Sequence, residues 1–416
     1  MDGQHLYTLA GFGDLFTARV APAGTPLYGT TYANFAPRFG VAYQLSQHPG
    51  RESVAKAGFG IFYDLGTGAI GDSAQFFPHR RQKTVTGIPF PLNDAAVPPP
   101  PANLDPPYMG QAFLVFDPEI VLPRTYEWNV ALQQSLGTMQ TVSASYIGAA
   151  GRDLLRREFA AGNGPNFLGS GIDVTTSTAT SDYHSLQIQL QRRLSRGMQG
   201  LASYSWSHSI DIASNDFDDQ IPSTHVLPQL NRGSSDFDAR HTFNAAFVYD
   251  MPRLGEGALG SVLNGWSVQG IFTARTAMPV NVTVIRTFKP DRIAVNPDLV
   301  PGVPLYLSDS TIAGGKRINP AAFLAPIDQR QGNLGRNALR GFPVYELDVS
   351  VGRAFDVMRS VRLQLRADAF NLLNHPILPI PRAHWELLAP PCREIVYLAF
   401  QRRCWPTLLS TASPPG

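Results

Sequence analysis

Val361-Arg362-Leu363-Gln364-Leu365-Arg366-Ala367-Asp368-Ala369 alternates apolar and polar side chains without a break. In a strand, successive side chains point to opposite faces, so this stretch has one apolar face and one charged face. Wound as a helix, the same residues would scatter both types around the cylinder. The rhythm therefore predicts a strand whose two sides meet different surroundings. Leu363, Leu365 and Ala367 are expected to face lipid, with Leu365 near the midplane, and Arg362, Gln364 and Arg366 to face a lumen.

The same two-residue period returns along the chain. Tyr126, Trp128, Val130 and Leu132 alternate with Glu127, Asn129, Ala131 and Gln133. Leu186, Ile188 and Leu190 are set against Gln187, Gln189 and Gln191, and Ala202, Tyr204 and Trp206 against Ser203, Ser205 and Ser207. Phe243 to Tyr249 and Tyr345 to Val351 give two more apolar faces, with weaker candidates at 35–45, 54–63, 142–146 and 266–274. That makes about ten strands of the ~10-residue length of membrane-barrel segments. Phe62, Tyr63, Tyr126, Trp128, Tyr249, Trp266 and Tyr345 fall near strand ends, where interfacial aromatic girdles lie. The fold class expected is all-β: an antiparallel up-and-down transmembrane β-barrel, partial at about ten strands.

Connections alternate in length. Short turns are expected at 48–51, 137–138, 195–197 and 356–359, and long excursions at 64–121, 149–181, 211–238 and 277–343. Loops beyond ~12–15 residues are unusual in compact soluble domains. Short periplasmic turns opposite long extracellular loops are the plan of an outer-membrane barrel.

Composition agrees. Charged residues make up 16% of the 416 positions, well under the ~25% of a soluble domain. Hydrophobic residues stand at 44%, and mean hydropathy is −0.09. Polar uncharged residues fill the difference, as a water-filled lumen requires. No apolar run approaches the ~18 residues of a spanning helix. A net charge of +2 gives no support to nucleic-acid binding. Two cysteines, Cys392 and Cys404, make neither a zinc motif nor a disulfide framework.

Several motifs invite chemical readings. Gly66-Thr67-Gly68-Ala69-Ile70-Gly71 has the dinucleotide-binding pattern, but a Rossmann site needs a helix opening at the third glycine and an acidic partner about twenty residues on; a flexible loop root is expected instead. Asp236, Asp238 and His241 hold oxygen and imidazole donors, yet on a strand His241 would leave the face shared by the two aspartates. They are expected to terminate a loop and hydrogen-bond at the barrel rim, although a calcium ion on the two carboxylates stays open. Asp211, Asp216, Asp218 and Asp219 form a second acidic group, read as solvated loop charge. Ser203, Ser205 and His208 lack a Gly-x-Ser-x-Gly elbow. The Gln187, Gln189, Gln191 row reads as lumen lining, and Arg362, Arg366 and Asp368 as a paired lumen network. Asn281-Val282-Thr283 fits the glycosylation pattern, without weight in a bacterial outer membrane.

Residues 35–43 (Phe-Ala-Pro-Arg-Phe-Gly-Val-Ala-Tyr) and 57–64 (Ala-Gly-Phe-Gly-Ile-Phe-Tyr-Asp) resemble the barrel of Oar-like TonB-dependent receptors. So do Asp236-Phe237-Asp238-Ala239-Arg240-His241, Asn264-Gly265-Trp266-Ser267-Val268 and Asp368-Ala369-Phe370-Asn371-Leu372-Leu373-Asn374-His375. The resemblance covers about residues 5 to 378. It implies the C-terminal part of a barrel of about 22 strands that is preceded, in the family, by a regulatory-like domain and a plug on which the TonB system pulls. The expected function is the barrel portion of a receptor for TonB-coupled uptake in the bacterial outer membrane, not competent alone. Its partners would be outer-membrane lipid, an unknown ligand, and TonB only through a plug this sequence does not show. No catalytic, cofactor-binding or metal-ligating residue is assigned, and no enzymatic role.

Two alternatives remain. One is a non-transporting surface or adhesive barrel; the other is a soluble all-β carbohydrate-binding or hydrolytic protein, whose apolar outer faces would need a second layer. Met1 to His5 shows no secretion signal, so the expectation is a chain lacking its original N-terminal part. Residues 1–380 are expected to be the partial barrel. Residues 381–416, where prolines, both cysteines and two of the five tryptophans crowd together, are expected to be an atypical, loosely ordered tail.

Overall fold

The computed structural model describes residues 6–80, 103–215, 228–252, 264–288, 291–326, 330–358, 361–376, 378 and 383–386. Ten antiparallel strands form one sheet in chain order. They are β1 (Arg38–Ser46), β2 (Ser53–Tyr63), β3 (Arg124–Leu136), β4 (Gln140–Gly164) and β5 (Phe167–Ser195). There follow β6 (Met198–Asp211), β7 (His241–Asp250), β8 (Trp266–Arg275), β9 (Val344–Met358) and β10 (Val361–Ala369). Every strand read from the two-residue period is present. The sheet is not closed: β1 and β10 stand at its two ends. Among the described residues, no helix is long and apolar enough to cross a membrane.

Cross-strand register turns ten local alternations into two continuous faces. Directly paired residues share a face. One row runs Tyr43, Ala55, Leu132, Ala144, Ile188, Tyr204, Phe243, Ala274 and Tyr345. One residue away, the opposite face reads Gln44, Val54, Gln133, Ser143, Gln189, Ser203, Asn244, Thr273 and Glu346. A slip of one residue in any pair would put a polar row into the apolar face.

Aromatic residues mark both edges of the apolar face. At the long-loop end, Gly148 leaves room for the Trp128 indole, which a Cβ there would meet at 2.2 Å. Beside it, the Tyr146 hydroxyl and His184 Nδ1 are 2.7 Å apart. At the short-turn end, the Arg353 guanidinium lies 5.3 Å from the Trp266 ring. Phe62 departs from the expected girdle: its register puts it on the polar face, where Arg38 sits 4.5 Å from its ring centroid. Leu365 pairs with Arg353, which places it near the short-turn edge rather than the midplane.

The expected loop at 149–181 is instead strand. β4 and β5 run 25 and 29 residues and stay paired to their tip, with register shifts beyond Gly151. Asp153, at φ 54, stands within the first shift. The two-residue hydrophobic rhythm stops there because this part of the hairpin packs against other protein instead of separating two solvents. Ala112–Phe116 pairs in parallel with β5. Phe113, Tyr108, Phe167, Ile172 and Phe77 close a dry core with Leu9 and Ala18. The 277–343 excursion likewise forms short strand pairs around Val280, Val282, Ala322, Phe323, Leu334 and Leu339. Gly66 to Gly71 is no flexible root: Thr67–Ser73 is a seven-residue helix, α1, with Ala69 and Ser73 buried. It opens before the third glycine. Of the segment 381–416, only Ala383–Glu386 is described, paired in parallel with Val282–Ile285; the remainder lies outside the described residues.

Ile188 stands in the middle row of the apolar face and is 40% exposed. Replacing it with Arg is expected to destabilise the chain in a bilayer by ~2–4 kcal/mol, and Gln189→Arg by far less. Leu365→Arg, near the edge, is expected to cost only ~0–1 kcal/mol. Urea titrations in phospholipid vesicles measure all three, and equal costs at 188 and 189 would overturn the facing.

Candidate functional site

The polar face runs across the sheet from β1 to β9. Gln187, Gln189 and Gln191 stand on it with Ser203 and Ser205, each paired across β5 and β6. His208 falls on the opposite face, so the three residues Ser203, Ser205 and His208 are not brought together. Arg366 Nε donates to Asp368 Oδ1 at 2.8 Å, an exposed pair on the same polar face; the side chain of Arg362 lies outside the described residues. One apolar step interrupts the face, where Leu201, Ala246 and Ile271 pair in a row.

At the long-loop end the polar face terminates in a charged clasp. Two of the aspartates read as rim and solvated loop charge are buried, Asp211 at 2% exposed and Asp238 at 1%, while Asp236 stays exposed. Their partners come from the 277–343 excursion. Arg336 reaches Asp211 with Nη1 and donates from Nη2 to Asp236 Oδ1 at 3.1 Å and Ser214 Oγ at 2.6 Å. Arg340 donates to Asp238 Oδ2 at 2.7 Å and to the Asp238 carbonyl at 2.8 Å. Asn337, at φ 57, donates to the Ser234 carbonyl and to Asp236. Gly233 permits this closeness, because a Cβ there would meet the Arg336 carbonyl at 2.5 Å. Asn281, the residue of the glycosylation pattern, accepts from the Asn337 N–H.

Burial alone would raise the Asp238 carboxyl. The Arg340 hydrogen bond, then those from the Ser209 N–H and His208, and the nearby Arg240 charge, outweigh it and hold the pKa at about 2. The group is therefore ionised at any pH the cell meets, and its charge is matched on three sides. His241 is not part of this cluster: it opens β7 on the apolar face and meets the Tyr204 hydroxyl at 2.8 Å. Among the described residues, no group of three or more His, Cys, Asp or Glu is placed to hold a metal ion. Asp216, Asp218 and Asp219 lie outside the described residues.

Arg336 and Arg340 carry no signal in the sequence beyond being two arginines four apart in a long excursion. The resembling motifs fare better. Asp236-Phe237-Asp238 is half of the clasp. In the motif from Asp368 to His375, the Asn371 N–H donates to Asp348 at 2.8 Å, while its side chain bridges both backbone groups of His375. That turn brings the His375 ring onto Tyr345 at 3.5 Å between centroids.

Breaking a buried ion pair by removing one partner costs roughly 3–5 kcal/mol. Asp211→Asn is therefore expected to free Arg336, seen as tryptic cleavage after Arg336 at least about a hundredfold faster than in the unaltered protein. The acid limb runs the other way from a histidine switch. Because the Asp238 pKa is lowered to about 2, its contribution is complete above the ordinary carboxylate value near ~4 and fades as pH falls toward 2. Loop protection measured by hydrogen exchange should hold from pH 8 to about 4 and fall below that.

No curated protein matches the chain. Solved structures with a similar arrangement include the outer membrane transporter YddB from Escherichia coli, at TM-score 0.47 and 13% identity over 82% of this chain and 37% of that one. They also include a variant of the ferric enterobactin receptor of Pseudomonas aeruginosa, at TM-score 0.42, 12% identity, 82% and 35%. The FrpB iron transporter from Neisseria meningitidis aligns at TM-score 0.40, 12% identity, 82% and 35%. The chain spans about a third of the length of these structures. The profile of the family described as "Outer membrane beta barrel domain" matches residues 5–386, and with its two-faced antiparallel sheet the chain belongs to that family and to the bacterial outer membrane.

Proposed function

We propose that this chain is the barrel portion of a TonB-dependent receptor that imports a ligand across the outer membrane. The observation that carries the reading is the polar face, on which Gln, Ser, Asn and Thr follow one another across six successive strands, β3 to β8. A surface of neutral hydrogen-bonding groups wets a passage without trapping ions or a charged solute along it. An anchor alone would need only the apolar face. The motifs that resemble those of Oar-like receptors support the same class. Ligand would first meet the caps at the long-loop end, whose dry cores hold their shape in water. Energy coupling through a plug belongs to the whole receptor and is assigned to no residue here.

Cysteine accessibility in outer-membrane preparations tests the passage. With Cys392 and Cys404 replaced by serine, Gln189→Cys is expected to react with a charged, membrane-impermeant thiol reagent, and Ile188→Cys to be protected. Equal labelling would refute an aqueous face. For coupling, the rate at Gln189→Cys in whole cells that carry the chain joined to a plug should change when a protonophore collapses the inner-membrane potential. An unchanged rate would favour the non-transporting alternative.

A further inference from the structure

On the apolar face, the row just beyond the aromatic edge is basic. Arg124 of β3 pairs directly with Arg152 of β4, and both lie on the side that carries Trp128 and Tyr126. Arg232, from the segment before β7, joins them through Asp182, which accepts from Arg152 Nη2 at 2.8 Å and from Arg232 on its other oxygen. Arg124 is held by Asp153 at 3.0 Å. The three side chains remain 42%, 39% and 33% exposed. Three guanidiniums against two carboxylates leave one positive charge.

Depth decides what this charge meets. From Tyr126 to Leu136 the apolar face of β3 spans about ten residues. At ~3.4 Å per residue and a tilt of ~40°, that is about 26 Å, close to the ~25 Å apolar band of outer-membrane barrels. Arg124 stands two residues further, about 5 Å beyond the hydrocarbon, where lipid headgroups lie. Arginine presents a planar fork of donors suited to phosphate oxygens. Asp182 fixes two of these forks without neutralising both, which lowers the ordering cost of binding.

We propose that Arg124, Arg152 and Arg232 form a binding site for the phosphate of a membrane glycolipid in the leaflet at the long-loop end. The apolar rows below receive its acyl chains, and the arginines grip its phosphate. The site uses the opposite face from the passage and does not depend on transport.

The test uses the full chain purified in mild detergent, with lipid A as probe and native mass spectrometry as readout. The unaltered chain should retain lipid A, and lipid A stripped of its phosphates should bind roughly tenfold or more weakly. The variant R124Q/R152Q/R232Q should lose the same factor for lipid A and be indifferent to the phosphates. R353Q, at the opposite edge, should behave as the unaltered chain. Should the triple variant fail to fold, R124Q alone must show a smaller loss in the same direction. Unchanged retention by these variants would overturn the proposal. So would equal binding of phosphorylated and stripped lipid A, or inorganic phosphate binding as tightly as lipid A, which would mark a free-anion site.

Discussion

The structure depends on cross-strand register. A backbone group left unpaired in hydrocarbon costs several kcal/mol, so a sheet at that depth must be laddered throughout. Once laddered, each strand inherits its facing from its neighbour. Tyr43 and Tyr345, at the two ends of the described outer row, share a face because eight pairings between them each keep parity. The aromatic edges, the polar face and the depth of the outward arginines all follow from that ladder.

Where the two-solvent constraint ends, the chain changes its manner of stabilisation. Inside the belt, Ile188, Leu190 and Leu365 are exposed; beyond it, Phe113, Phe167 and Ile172 are buried like the core of a water-soluble protein. The caps bury what the belt displays, since water surrounds them. Charges follow the same division. Asp211 and Arg336 are buried as a pair in the cap, whereas Arg366 and Asp368 pair in the open on the polar face.

Ten strands were legible in the sequence because each separates a polar from an apolar surrounding, and the period of the side chains records that separation. The outer halves of β4 and β5 were not, because Thr175 to Thr180 pairs within a cap where neither face is uniformly wet or oily. The clasp was half legible. Asp211, Asp236 and Asp238 stood out as an acidic concentration, but the loop that neutralises them is far along the chain, and spacing does not record such a contact. Phe62 shows the limit of composition: an aromatic at a strand end suggests an interface, and only its register assigns it to the polar face.

The clasp also bears on the order of assembly. Arg336 and Asp211 are 125 residues apart, and β7 and β8 lie between them in the chain. Contacts of such separation form late, since the intervening chain must first give up its freedom. The hairpin of β4 and β5, whose partners are adjacent in sequence, can zip without waiting for them. The molecule thus has an early edge and a late one, and its outer end is sealed only after the β7–β8 hairpin has taken its place. A strand delayed at β8 would leave Asp211 and Asp238 without the cations of the late loop, in a half-built cap exposed to water.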